Sequence, residues 1–358
     1  MSTPSAPRGR RARFAAAARE TAKEFDGSTA RSLESLALSA GVIAFVVVAA
    51  LALPVFRLQS APISGPGSLG QYAAISAAVV ALVAFSAGQL IKRGRLAKQM
   101  RPLDYFDLAA LAIAHAVIAL LTWTLVGVIL EQSFIGAEVF AIPVLALSGA
   151  AAGVTGYFAF TSATHMDLML LAVVLAVFLA EGVIASMLTA SDPHWWMKHL
   201  SSLGASEGFS ALAFNLTLIV AGFIVTTLAR YVTLDLPTPV ANGPRNLRIS
   251  LALVGVLLGC VGIFHVDAFF WIHTFSASGM AIVFGVAALR IRRWVPGMPR
   301  TFWILGAVFF GVVLLLAVFY AVGFYTLTAV ELVAGVLVFT WIILLIRNAA
   351  ALKADLVA

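Results

Sequence analysis

Ten apolar stretches, at roughly 33–53, 72–91, 105–130, 134–160, 167–190, 208–230, 248–264, 268–289, 301–323 and 326–346, take up most of this chain. Each comes close to or exceeds the ~20 residues with which a helix crosses ~30 Å of hydrocarbon. Backbone N–H and C=O groups find no water in that medium, so a spanning segment must satisfy them internally, as a helix does. The expected fold class is therefore all-α: a polytopic transmembrane helix bundle of about ten helices.

Lys and Arg are placed with the same regularity. All but Arg57 and Lys198 of the 23 fall in alternate gaps: the tail through Arg31, the 92–101 loop, Arg230 with Arg245 and Arg248, the 290–300 loop, and Arg347 with Lys353. Because cytoplasmic loops retain Lys and Arg, both termini are expected on the cytoplasmic side of a bacterial inner membrane. The chain then divides into a basic tail (1–31), a four-helix region (32–165), a six-helix module (166–347) and a short tail (348–358).

Composition excludes several alternatives. With 62% hydrophobic and 11% charged residues, the chain has too little charge for a soluble domain, where about 25% is usual. A formal net charge of +7 might suggest nucleic acid, yet the cations sit at span ends and form no recognisable reader, so no nucleic-acid partner is expected. Cys260 is the one cysteine, which rules out an internal disulfide or a thiolate cluster. The first 31 residues lack an apolar run of the signal-peptide kind, so 33–53 reads as a retained helix. Residues 11–25 read either as a basic amphipathic surface helix or as a solvated tail. A weak repeat at an offset of 134 residues aligns Ser68-Leu69-Gly70 with Ser202-Leu203-Gly204, and Ala87-Gly88 with Ala221-Gly222.

The polar residues concentrate in two outer loops. Between the fifth and sixth stretches lie Asp192, His194, Trp195, Trp196, Lys198, His199, Ser201 and Gly204, which read as a short interfacial helix opened by Pro193. On the next helix Gly208, Ala211, Asn215 and Gly222 share one face, the pattern of a close helix contact with an amide bridging it. A second outer turn brings His265 and Asp267, with His273 and Ser276 on one face of the helix that follows. Imidazole and carboxylate groups suit acid–base or zinc chemistry, but equally headgroup hydrogen bonding. Since no HExxH spacing is present, neither a metal nor a cofactor is assigned.

The stretch from about 167 to 346, with HLSSLGASEGFSALAFNLTLIVAGF and GIFHVDAFFWIHTFSASG, resembles the bacterial membrane family called domain of unknown function 998. More distantly it is similar to the eukaryotic Frag/DRAM/Sfk membrane proteins. The resemblance rests on Ser201, Gly204, Asn215, His273 and Ala277. It implies a six-helix lipid-embedded module without established catalytic residues, some of whose relatives are linked to lipid remodelling.

Three ionisable residues lie deeper, His115, Glu181 and Glu331, and hydrocarbon obliges each to face protein or be neutral. Three readings of function follow. The first is lipid binding or remodelling at an outer-leaflet pocket formed by Asp192, His194, His199, Ser201, Asn215, His265, Asp267, His273 and Ser276, with membrane lipids as partners. The second is a proton-linked transporter that relays through His115, Glu181 and Glu331. The third is a structural or sensory membrane protein without turnover. No P-loop, dinucleotide fingerprint, CxxC pair or GxSxG elbow is present, and no catalytic residue is assigned.

Overall fold

A computed structural model describes residues 8–95, 100–205, 208–234 and 236–355, with backbone alone at 8–30 and 95. Among these residues the chain forms α1 (Arg8–Phe56), α2 (Leu69–Arg95), α3 (Pro102–Ser133), α4 (Ala141–His165), α5 (Leu168–Leu188), α6 (Ser202–Ala205), α7 (Phe209–Thr233), α8 (Gly243–Ile263), α9 (Phe270–Trp294), α10 (Arg300–Ala321) and α11 (Leu327–Ala354). All except the one-turn α6 are long and apolar enough to cross a membrane. Connections between consecutive long helices are short, so the bundle runs up and down, with both chain ends at one end, the termini end. The other is the far end. The amphipathic reading of 11–25 concerns side chains outside the described ones, although the backbone there continues α1.

One boundary differs from the apolar stretches. The stretch 134–160 does not begin a helix at 134, because Gly136 takes a positive φ of 73° and Glu138–Val139 pairs antiparallel with Ala61–Pro62. Ser60 Oγ donates to Glu138 Oε2 at 2.6 Å, tying the two far-end loops together, and α4 then runs to His165.

Helix pairing follows small residues. Without a hydrophobic drive between helices in lipid, association depends on close backbone approach. Two Gly-x-x-x-Gly pairs provide it. Gly149 and Gly153 of α4 receive Phe45 and Gly41 of α1, and a methyl added at Gly149 would lie 2.9 Å from the Phe45 carbonyl oxygen. Gly255 and Gly259 of α8 receive Gly222 of α7 in the same manner.

In the first half, α4 packs against α1 and α2, and α2 against α3. In the second, α5, α7, α8, α9, α10 and α11 each contact the next, and α11 returns to α5, which closes a ring. α3 joins the halves by packing on α5 and α7. The pairing does not follow the 134-residue offset: that offset aligns α1 with α5 and α4 with α9, yet α1 packs on α4 whereas α5 packs on α7 and α11. Inside the ring Trp341 is enclosed, stacked on Phe302 at 5.3 Å and edge-on to Phe284 at 5.5 Å.

These contacts yield a first test. A Cβ at Gly222 would stand 2.5 Å from the Gly255 carbonyl oxygen and 2.8 Å from the Gly259 nitrogen, against backbone that cannot swing away. Gly222→Leu should therefore cost about 1–3 kcal/mol or more through overpacking. Gly311→Leu, where no atom lies within 4 Å, should leave thermal stability near wild type. Equal Tm values for the two variants in detergent would show that the α7–α8 approach is not tight.

Candidate functional site at the far end

The segment joining α5 to α7 was expected as one interfacial helix, but it folds as two pieces. Asp192 Oδ1 accepts the His194 N–H at 2.8 Å and starts a turn that leads into a single 3-10 turn, Trp195–Met197. The helix stops there, because the Leu200 N–H turns away to Glu331 Oε2 at 2.5 Å, and Ser201 Oγ donates to Glu331 Oε1 at 3.3 Å. Chain direction resumes in α6, whose Gly204 carbonyl accepts from Asn215 Nδ2 at 2.8 Å. A Cβ at Gly204 would fall 2.3 Å from Asn215 Oδ1, so a larger residue there would have to push the Asn215 amide out of this bond. Asn215 thus holds the cap down instead of bridging two long helices.

Between this cap and the α8–α9 turn is a cleft of about 270 Å³, lined by Asp192, Trp195, Lys198, His199 and Asp267 among others. Lys198 Nζ pairs with Asp192 Oδ2 at 3.3 Å. The His194 N–H and the Lys198 ammonium hold the Asp192 carboxyl below the usual carboxylate range. Burial pushes His199 below the ordinary imidazole value; the nearby Asp267 carboxylate opposes that shift and His273 adds to it. His199 Nδ1 contacts Ser201 Oγ at 3.1 Å. The Ser201 hydroxyl thus stands between an imidazole and a carboxylate, and that carboxylate also holds the Leu200 N–H of the cap.

His273, 5% exposed, donates from Nδ1 to the Phe264 carbonyl at 2.8 Å, which leaves Nε2 an acceptor in the neutral ring. The structure therefore brings together Asp192, His199, Ser201, Asp267 and His273, with Asn215 behind them. His194 and His265 are exposed and do not line the cleft, although the His194 side chain is near enough to act on the Asp192 carboxyl; the backbone groups of both serve the turns. Ser276 is buried three residues beyond His273 on α9 and does not line the cleft. Among the described residues no group of three or more His, Cys, Asp or Glu is arranged to hold a metal ion.

The deeper ionisable residues separate. His115 donates from Nδ1 to the Leu111 carbonyl at 2.8 Å, accepts from Ser162 Oγ at Nε2, also at 2.8 Å, and stacks on Phe85 at 4.2 Å. Glu181 accepts from Thr122 Oγ1 at 3.0 and 3.1 Å. Seven residues, or ~10 Å of helix, separate the α3 positions that serve these two groups. Glu331 belongs to the cap.

At the termini end is a cluster that the sequence reading did not single out. Asp104 Oδ1 lies 2.7 Å from Arg230 Nη2 and its Oδ2 3.5 Å from Arg93 Nη1. Arg230 Nη2 also lies 3.1 Å from Asp107 Oδ2, but off the hydrogen-bonding direction, so that contact is ionic and leaves Oδ2 without a directed bond. A cleft of about 290 Å³ opens beside it, lined by Gln89, Lys92, Asp107, Tyr231, Leu111 and Leu171 among others. A short-range signal was present: Asp104 and Asp107 sit three residues apart at the start of an apolar stretch.

Two outcomes test the far-end geometry. Glu331→Ala should leave the Leu200 N–H without its acceptor, a cost of about 1–3 kcal/mol, and raise amide exchange across 199–205 with the rest of the bundle unchanged; unchanged exchange there would show that Glu331 does not hold the cap. The second concerns pH. Since the folded state binds a proton on His199 less tightly than the unfolded chain does, the stability tied to neutral His199 is present above its ordinary value of ~6.5 and is lost as pH falls below it. The protection factor of the cap amides, with the base-catalysed intrinsic rate divided out, should therefore fall from about pH 8 to about pH 5, and His199→Gln should flatten that fall.

No protein-family model, no curated protein and no solved structure matches this chain, so a functional reading rests on the geometry itself.

Proposed function

We propose that this chain is a multi-pass protein of a bacterial cytoplasmic membrane, with both termini inside, whose far-end cleft binds the headgroup of an outer-leaflet phospholipid. The observation that carries this reading is a cleft holding both signs of charge at the ends of apolar helices: Lys198 with Asp192 and Asp267, beside Trp195. A zwitterionic headgroup presents the complementary pair, phosphate toward Lys198 and a cationic group toward Asp267. The surroundings agree. Trp271 and Phe275, 69% and 70% exposed, and Trp196 form an aromatic fringe at this level, as membrane-interface residues do. Membership of the 167–346 region in domain of unknown function 998 is part of the same proposal and rests on the residue resemblance alone.

Binding is favoured over turnover because Ser201, the hydroxyl beside His199, donates to a carboxylate that also accepts the Leu200 N–H, which ties both groups to holding the cap. Transport by proton relay is less well supported, since His115, Glu181 and Glu331 keep separate partners and Glu331 is committed to the cap.

Two measurements check the proposal. In a Cys260→Ser background, cysteines at Ser64 and Ser191 should react with an impermeant thiol reagent on intact cells, while those at Gly94 and Gly297 should not; labelling at Gly94 from outside would reverse the orientation. Native mass spectrometry should then find phospholipid on the purified protein, reduced about tenfold by Asp267→Asn combined with Lys198→Gln, and retained by His194→Ala. Equal retention in all three would remove the cleft as the lipid site.

A further inference from the structure

We propose a second lipid site at the opposite end of the bundle: the cleft where α2, α3, α5 and α7 meet takes a phospholipid whose headgroup carries a hydrogen-bond donor, an ammonium or a hydroxyl. The inference rests on the membrane-spanning reading but not on the far-end cleft. Three observations converge on it. Asp107 is 4% exposed and faces this cleft; the Tyr231 and Thr227 hydroxyls stand near its carboxyl, yet Oδ2 itself has no directed hydrogen bond. A buried acceptor left in that state costs free energy and calls for a partner. Lys92 lines the same cleft, near Asp167, and has no hydrogen bond or ion pair within 4 Å to any described residue. The lining is also layered. Lys92 and Asp167 sit at the helix ends, whereas Leu111 and Leu171 lie four residues, or ~6 Å, further into the bundle than Asp107 and Asp167.

A headgroup fits this order. Its phosphate would meet Lys92, its donor would reach Asp107, and an acyl chain would run along Leu111 and Leu171. Arg93, Arg230 and Asp104 are occupied with one another, so they fix the charge of Asp107 without competing for the ligand. The six charged groups, Lys92, Arg93, Arg230, Asp104, Asp107 and Asp167, balance in sign, which favours a headgroup with both charges over a purely anionic one.

The test uses the full chain in nanodiscs doped with phosphatidylethanolamine bearing a photoactivatable group in its acyl chain, with adducts mapped by peptide mass spectrometry. Adducts should concentrate on 108–111 and 168–171, and Lys92→Gln should lower them about tenfold relative to adducts on α10. Asp107→Asn should do the same; if it fails to fold, Lys92→Gln decides alone, because it breaks no described ion pair. Adducts at 108–111 no denser than on α10, or unaffected by Lys92→Gln, would overturn the site. Soluble glycerophosphoethanolamine competing as well as intact lipid would overturn the role of the chain. Loss of adducts near 190–203 with those at 108–111 intact would count against the far-end cleft and leave this site standing.

Discussion

Close backbone approach at α7 is the constraint on which most of the other features depend. It is the most enclosed of the spans, and it touches α3, α5, α6, α8 and α11. In a bilayer the hydrocarbon around such a bundle would be as apolar as the side chains within it, so proximity would have to come from shape, and Gly222 against Gly255 and Gly259 gives that shape. Gly182 performs the same service on the α5 side, where a Cβ would fall on the Thr217 side chain. With α7 placed, Asn215 is near enough to seize α6, and Arg230 near enough to reach Asp104 on α3. Both polar ends of the molecule hang on this one helix.

The two ends solve the same electrostatic problem differently. At the far end the chain must turn without burying free backbone groups, and a carboxylate from α11 accepts the Leu200 N–H that would otherwise be lost to the interior. At the termini end the charges pair with one another: Asp104 receives Arg93 and Arg230, so that three helices are linked where the two halves meet. The more exposed Lys198–Asp192 pair contributes less in energy, and its value lies in placing charge beside the cleft.

Hydropathy alone made the ten spans legible, because length and apolarity in the chain translate directly into helices. The far-end residues were legible in part. His199, Asp267 and His273 do meet, since short loops return the chain to one level, but His194 and His265 stay outside the lining, His194 acting only on Asp192, because a loop position does not determine which way its side chain points. Glu331 was expected to face protein or be neutral, with a relay role only in the transporter reading, and it does face protein. It proved to be a cap for a segment 130 residues earlier, a pairing that a periodicity argument does not contain. The start of α4 was misplaced for a related reason: Gly136 and the strand pairing of Glu138–Val139 override an apolar run that continues unbroken in hydropathy. The Gly-x-x-x-Gly pairs in α4 and α8 could have been found in the sequence, and Gly222 was read there on a close-contact face, which its approach to Gly255 and Gly259 bears out; which helices Gly222 and Gly41 meet could not be read, since azimuth is set only when helices meet.

The Asp107 cluster shows why such pairings matter for function. A carboxylate at the edge of an apolar stretch reads as one more boundary charge, equivalent to any other near a span end. Its meaning changes once α7 delivers Arg230 at 3.1 Å and off axis, with the Tyr231 and Thr227 hydroxyls near the carboxyl, for then the attraction is present but the hydrogen-bonding capacity of Oδ2 is not used. Charge balance is thereby decoupled from hydrogen-bond balance. A group that is neutralised yet under-bonded can accept a donor from a ligand without having to give up its ion pair, which is a lower barrier to binding than a fully satisfied network would impose. Asp104, with a directed bond from Arg230, the N–H of Arg101 and Arg93 close by, has no such spare capacity, and it sits on the structural side of the same cluster.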